Sequence, residues 1–298
     1  MPTPKDPVKA LYQQFPFPSG STPHLVQHWT NLLEKYFESE KISLKGKSFL
    51  DAGCGTGDNC LSFAENFPEL QFEAIDLSDS SVQRAEAQAQ KRKLANVHFS
   101  QQDILEFESK TQYDFIASLG VLHHTPEPKK GLKKLLAALK VGGHCFIDLY
   151  GFYGYLGVRK GQDLLNLLEQ DTHKLADRLQ IMESLLPTFL QTPVPKERED
   201  PRYIALVDGF VTPYAFSYKI EEALSLLEEQ GLRKVRWLDS PKILEGELRY
   251  KNFKGERLSV ALPEIIQSRL EKLSQKEQYR FFELAFSPFD YFLCGQKL

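Results

Sequence analysis

The stretch Asp51-Ala52-Gly53-Cys54-Gly55-Thr56-Gly57 places three glycines at alternate positions behind an acid. Glycines at that spacing permit a tight turn and let backbone approach a ligand where any Cβ would clash. A side chain at Gly55 is therefore expected to fill ligand space. A helix opening at residue 58 would add free N–H groups and the positive end of its dipole. The spacing also discriminates between ligands. A dinucleotide loop reads G-x-G-x-x-G, but the sixth residue counted from Gly53 is Asp58, and an acid there would repel a pyrophosphate. The alternating loop behind Asp51 suits a cationic ligand without phosphate. Asp76 and Asp103 follow at the ends of later apolar runs, and the pair His123-His124 follows another. Histidine titrates near neutral pH, so either ring could serve as a general base.

These residues need elements to position them. Residues 48–52, 72–77, 97–101, 113–119 and 144–150 read as strands, and helices are expected at 58–67, 78–93 and 129–140. Such alternation implies a parallel sheet covered on both faces, and right-handed crossovers make it doubly wound. Ligands in such sheets bind at the carboxyl ends of the strands, just after residues 52, 77, 101, 119 and 150. After Tyr150 the alternation stops. Residues 152–190 look helical, 191–203 form a proline- and charge-rich connection, and 217–230 form a helix ended by Gly231. Strands at 234–238 and 290–294, with helix over 262–285 between them, complete a mostly parallel seven-stranded α/β sheet. An amphipathic helix is expected at 24–38. The organisation is thus an N-terminal helical lid (1–45), a ligand-binding core (46–150), a helical insertion (151–216) and a C-terminal return to the core (217–298).

With these motifs in place, residues 48–150 resemble the class I S-adenosylmethionine-dependent methyltransferase core. The resemblance rests on the D-x-G-x-G-x-G loop, Asp76 after the second strand, Gln102-Asp103 after the third, Tyr113-Asp114-Phe115 leading to Leu119-Gly120-Val121-Leu122-His123-His124, and the Leu139-Lys140-Val141-Gly142-Gly143 turn. It covers about a third of the chain, and it is the ordered set that is specific. The resemblance implies S-adenosylmethionine as cofactor. Asp51 would face its methionine amino group, with Gly53 and Gly55 beside it, and Leu119 would offer a carbonyl to the same amine. Asp76 would accept from the ribose hydroxyls, Asp103 from the adenine amine, and Ile104 would lie against the ring. Cys54, Gly57, Leu77 and Gln102 complete the implied cofactor set.

Methyl transfer asks mainly for alignment, worth roughly 7–11 kcal/mol, and for a base only where the acceptor carries a proton. His123, His124 and Tyr150 are the candidates for that chemistry, and Tyr12, Phe17 and Tyr153 for the acceptor pocket. His144, at the opposite strand end, reads as structural. A formal net charge of −3 and the absence of a basic–aromatic cluster disfavour nucleic acid. Cys54, Cys60, Cys145 and Cys294 lack metal-ligand spacing, so no metal is indicated. No run approaches the length of a membrane span, and the thiols suit a reduced, cytoplasmic protein. The leading expectation is methylation of a small or medium-sized acceptor. Protein, peptide or RNA methylation, a non-catalytic cofactor-binding scaffold and a nucleotide-dependent dehydrogenase are the rivals. The oligomeric state is not encoded in any of these features.

Overall fold

Strands buried on both faces must be covered by helices on both sides, and the chain is organised around that requirement. The computed structural model describes residues 6–18, 20, 23–169, 174–244, 247–251 and 257–298. Helices α1 (Asp6–Gln14) and α2 (Pro23–Ser39) precede β1 (Ser48–Ala52), α3 (Asp58–Asn66), β2 (Gln71–Asp76), α4 (Asp79–Arg92), β3 (Val97–Gln101) and β4 (Tyr113–Leu119). Then come α5 (Pro128–Ala137), β5 (Leu139–Tyr150), and the inserted helices α6 (Leu156–Glu169), α7 (Leu175–Phe189) and α8 (Pro201–Leu206). The chain closes with α9 (Ile220–Glu229), β6 (Leu232–Trp237), β7 (Lys242–Leu244), β8 (Glu247–Lys251), β9 (Arg257–Ala261), α10 (Glu264–Leu270), α11 (Gln275–Phe286) and β10 (Asp290–Lys297).

The main sheet has the order β3-β2-β1-β4-β5-β10-β6, and only β10 runs against its neighbours. The order in which strands are laid down reverses between the parallel neighbours β1 and β4, where a crevice opens at the strand ends. One face of the sheet is covered by α5, α9 and α11 through Leu132, Leu135, Leu224, Leu227 and Phe282. The other is covered by α2, α3 and α4 through Trp29, Leu33, Phe37, Leu61 and Val82. A third apolar cluster lies off the sheet: Leu11 and Phe15 from the N-terminal segment pack with Leu165, Leu179, Met182, Tyr203 and Val207 of the insertion. Among the described residues, no helix is long and apolar enough to cross a membrane.

Several boundaries differ from expectation. Helix α5 ends at Ala137, not residue 140, because fully buried Leu139 pairs with Tyr113 and opens β5. The helical reading of 262–285 divides into α10 and α11, since Ser274 and Glu277 form a capping box that starts a new helix. The connection at 191–203 becomes helical at Pro201, with Asp200 accepting from the Arg202 N–H as its N-cap. Helix α1 and the three-stranded antiparallel sheet β7-β8-β9 were not anticipated. The strands of that small sheet are short and interleaved with charge, and the register gathers Ile243, Leu248, Tyr250, Leu258 and Val260 on one face. Within the expected helical stretch 152–190, residues 170–173 lie outside those described.

Candidate active site

The turn after β1 is held by its neighbours on both sides. Gly53 and Cys54 donate to the Ile75 carbonyl, and Gly55 donates to Asp76 Oδ2 at 2.9 Å. Asp76 Oδ1 accepts from the Ser78 N–H at 2.9 Å, so this carboxylate staples the glycine loop to the start of α4. Burial pushes Asp76 up, while the N–H groups of Ser78, Gly55 and Leu77 pull it down. Gly53 sits at φ 87°, and a Cβ there would collide with the Val121 side chain. Gly55, at φ 53°, faces the Phe17 carbonyl. A side chain at Gly55 would therefore displace the N-terminal segment. That segment is seated on the loop: Thr56 donates to the Phe17 carbonyl at 3.0 Å and the Gly20 N–H donates to Asp58 at 2.8 Å. Asp103 N-caps the short turn Ile104–Glu106 through the Leu105 N–H.

Above the crevice lies a cavity of about 390 Å³, of the size that takes small organic ligands. Gly53, Cys54, Gly55, Asp76, Leu77, Gln102, Asp103, Ile104 and Leu119 line it, as do Tyr12, Phe17, His124 and Tyr150. Four expected site residues do not. Gly57 faces Ala85 of α4. Tyr153 turns away to Phe152 and Arg280, and Tyr155 takes the wall position instead. His123 is fully buried behind the wall, its ring 3.8 Å from that of Tyr150, with no well-formed side-chain hydrogen bond among the described residues. Burial, then its neighbour His124, hold His123 well below the usual imidazole range.

Asp51, 2% exposed, also lies behind the wall. Its Oδ2 has no hydrogen-bond partner among the described residues. Burial, then Asp76, push its carboxyl up to about 7. A buried carboxylate oxygen left open beside a glycine cradle fits a ligand carrying positive charge, as a sulfonium with an ammonium group does. The residues present therefore fit S-adenosylmethionine. No cluster of three or more His, Cys, Asp or Glu able to hold a metal occurs among the described residues.

At the far end of the cavity, His124 is held by the insertion. Its Nδ1 lies 2.9 Å from the Tyr214 carbonyl, which can only accept, so Nδ1 carries the proton and Nε2 keeps its lone pair. Nε2 lies 3.2 Å from the Tyr150 hydroxyl and 3.8 Å from Asp208 Oδ2. Tyr12 donates to Asp208 Oδ1 at 2.8 Å, and Tyr150 reaches Oδ2 at 3.3 Å. Burial, then the charge of Asp208, push both phenols up, so they stay protonated. Asp208 sits on a π-turn, Val207–Val211, of the kind often found at functional sites. The Gly209 carbonyl in this wide turn accepts from the Tyr155 hydroxyl and the Gln162 amide. Sequence reasoning missed Asp208, Asp148 and Asp290. The signal was an acid interrupting the apolar runs 206–211 and 145–150.

A family model described as a methyltransferase domain matches residues 43–198, just over half of the chain. This chain is a class I S-adenosylmethionine-dependent methyltransferase. The methyltransferase is 32% identical over 170 residues to the ubiquinone biosynthesis O-methyltransferase of Coxiella burnetii, covering 56% of this chain and 70% of that protein. It is also 26% identical to an uncharacterised Synechococcus protein, covering 96% of this chain and 70% of the other. Among solved structures it is similar to PKMT2 from Rickettsia typhi, with TM-score 0.58 and 17% identity over 86% of this chain. A second structure of that protein is a complex with AdoHcy, with TM-score 0.58 and 16% identity. The methyltransferase spans 49% of the PKMT2 chain, and at this identity the likeness is one of fold.

Proposed function

We propose that this chain methylates a small or medium-sized acceptor held between the ends of β4 and β5 and the inserted helices. The carrying observation is that one cavity joins the glycine loop and Asp76 to His124, Tyr150 and Asp208. In this reading residues 46–150 and 217–298 form the cofactor core, and 1–45 and 151–216 close over it. When bound, S-adenosylmethionine supplies an electrophilic methyl group on a cationic sulfur. Asp76 accepts from the ribose hydroxyls through the lone pairs its two backbone bonds leave free. Asp103 and Ile104 take the adenine end, while the Gly53–Gly55 backbone and the Leu119 carbonyl take the methionine end. Asp51 acts from behind, its raised carboxyl ionising as the cationic cofactor arrives. The acceptor loses its proton to His124 Nε2 through the Tyr150 hydroxyl, whose single proton can go to either His124 or Asp208. Asp208 then stabilises the imidazolium. Nucleic acid is not the proposed acceptor, because the cavity wall is rich in carboxylates. A cytoplasmic location belongs to the same proposal and is supported by four buried free thiols.

Titration calorimetry with S-adenosylmethionine and S-adenosylhomocysteine tests the cofactor half. The wild type should bind both, and Asp76→Ala should weaken binding about tenfold, the value of one charge-assisted hydrogen bond. Undiminished affinity in that variant, or displacement of the ligand by NADH, would remove Asp76 and the glycine loop from the cofactor site.

A further inference from the structure

One acid on the cavity wall has no counterpart. Asp148, third from the end of β5, is 2% exposed, and its Oδ1 has no hydrogen-bond partner among the described residues. The register sets Asp148 opposite Phe292 and Tyr150 opposite Asp290. Side chains two apart on a strand share a face, so Asp148 and Asp290 stand together on the cavity side. Asp239, close by, is already engaged with His28 at 3.2 Å and the Phe292 N–H at 3.3 Å. Burial, then neighbouring carboxylates, push Asp148 and Asp290 up, Asp290 to about 7. Asp148 is buried and Asp290 beside it half-buried, and two carboxyls so placed are held at a cost. Among the described residues lining the cavity there is no Lys or Arg, and Trp29, Tyr150, Tyr155 and Phe289 line it with aromatic rings. Rings around a carboxylate pair make a receptor for an organic cation.

The cofactor brings its own positive groups, but the loop after β1 and the Leu119 carbonyl provide for those. We propose that the methyl acceptor is an amine, bound as its ammonium ion against Asp148 and Asp290. This rests on the reading of the cavity as a methyltransferase site. The ammonium gives one proton through Tyr150 to His124, and the freed lone pair forms the N–CH3 bond. The sulfonium C–S bond breaks in the same step, sulfur keeping its electron pair, and the methylated product leaves as an ammonium ion. A free amine and a lysine side chain offer the same chemistry.

Benzylamine and benzyl alcohol, near-isosteres differing in charge, test this by calorimetry on the full chain saturated with S-adenosylhomocysteine. Benzylamine should bind about tenfold tighter or better, and Asp148→Asn and Asp290→Asn should each erase most of that preference. The affinity of both variants for S-adenosylhomocysteine should change less than about twofold, with thermal melts confirming that they fold. Equal binding of amine and alcohol, or a preference that survives in both variants, would overturn the proposal. So would a loss of S-adenosylhomocysteine affinity in Asp148→Asn, which would assign Asp148 to the cofactor's own amine. Failure of the wild type to bind S-adenosylhomocysteine would instead sink the underlying cavity reading. Tritium from labelled cofactor appearing in benzylamine favours a small amine, and its appearance in the peptide Ac-Ala-Lys-Ala-amide favours a lysine side chain. Label in benzyl alcohol alone would count against an amine.

Discussion

His124 owes its place to a carbonyl ninety residues away in sequence, that of Tyr214. Fixing the proton on Nδ1 makes Nε2 the basic atom beside Tyr150 and Asp208. His124→Gln should keep affinity for S-adenosylhomocysteine while lowering kcat by about 10²–10³-fold, within the usual contribution of a general base. Rapid-quench transfer of labelled methyl would show it, and an unchanged rate would exclude His124 as proton acceptor. At this scale the sequence exposed the cavity wall around the glycine loop and was poor on the wall at its far end. The glycine loop, Asp76 and Asp103 are set by local chain geometry, so spacing exposes them. Which of two adjacent histidines faces the cavity depends on packing: His123 turns under Tyr150 and His124 turns out. Tyr153 and Tyr155 lie either side of Gly154, which packs so close to the Pro288 carbonyl, far along the chain, that a Cβ would collide with it.

Helix α4 begins at Ser78, a fully buried N-cap that accepts from the Ser81 N–H and donates to the Tyr12 carbonyl. Ser80 donates likewise to the Gln13 carbonyl. One cap thus starts a helix of the core and holds the end of α1. Ser78→Ala should lower stability by about 1 kcal/mol, the typical value of an N-cap, which is about 2–4 °C in Tm for a domain of this size. It should also raise the Kd for S-adenosylhomocysteine, because Tyr12 loses its anchor; a Tm within 1 °C of wild type, by calorimetry, would show that α4 does not depend on this cap. Helix α4 and its cap were legible, since Ser78 stands directly ahead of an amphipathic run. Helix α1 was not, because its apolar residues meet partners on the insertion and leave only a short pattern of their own.

Across the whole molecule, the doubly wound, mostly parallel sheet followed from the alternation of apolar runs, while the β7-β8-β9 sheet escaped because its strands lack an apolar run. At the sheet end opposite the cavity, Asp114 joins β4 to Lys140 at 2.7 Å, to Lys47 at 3.3 Å and to the Ser48 N–H. Burial alone would raise the Asp114 carboxyl, but Lys140, Ser48 and Lys47 outweigh it and hold it at about 2. The stability it contributes is present above the unfolded value of about 4 and is lost as pH falls towards about 2. Since both lysines are over a third exposed, Asp114→Asn should cost only about 1 kcal/mol at neutral pH. Urea unfolding at pH 7 and near pH 2 should show that difference shrinking, and a constant difference would refute the charge argument.

The apolar cluster that joins Leu11 and Phe15 to the insertion has a consequence for how the enzyme is assembled. Its members come from distant parts of the chain, and closing so long a loop is slow relative to building the βα units of the core. The roof of the cavity therefore sets last during folding and loosens first under mild denaturant, as one cooperative unit. Amide exchange should speed up together in residues 6–14 and 203–211 at urea concentrations that leave β1 and β4 protected. If so, the enzyme loses its reaction chamber well before it loses its fold.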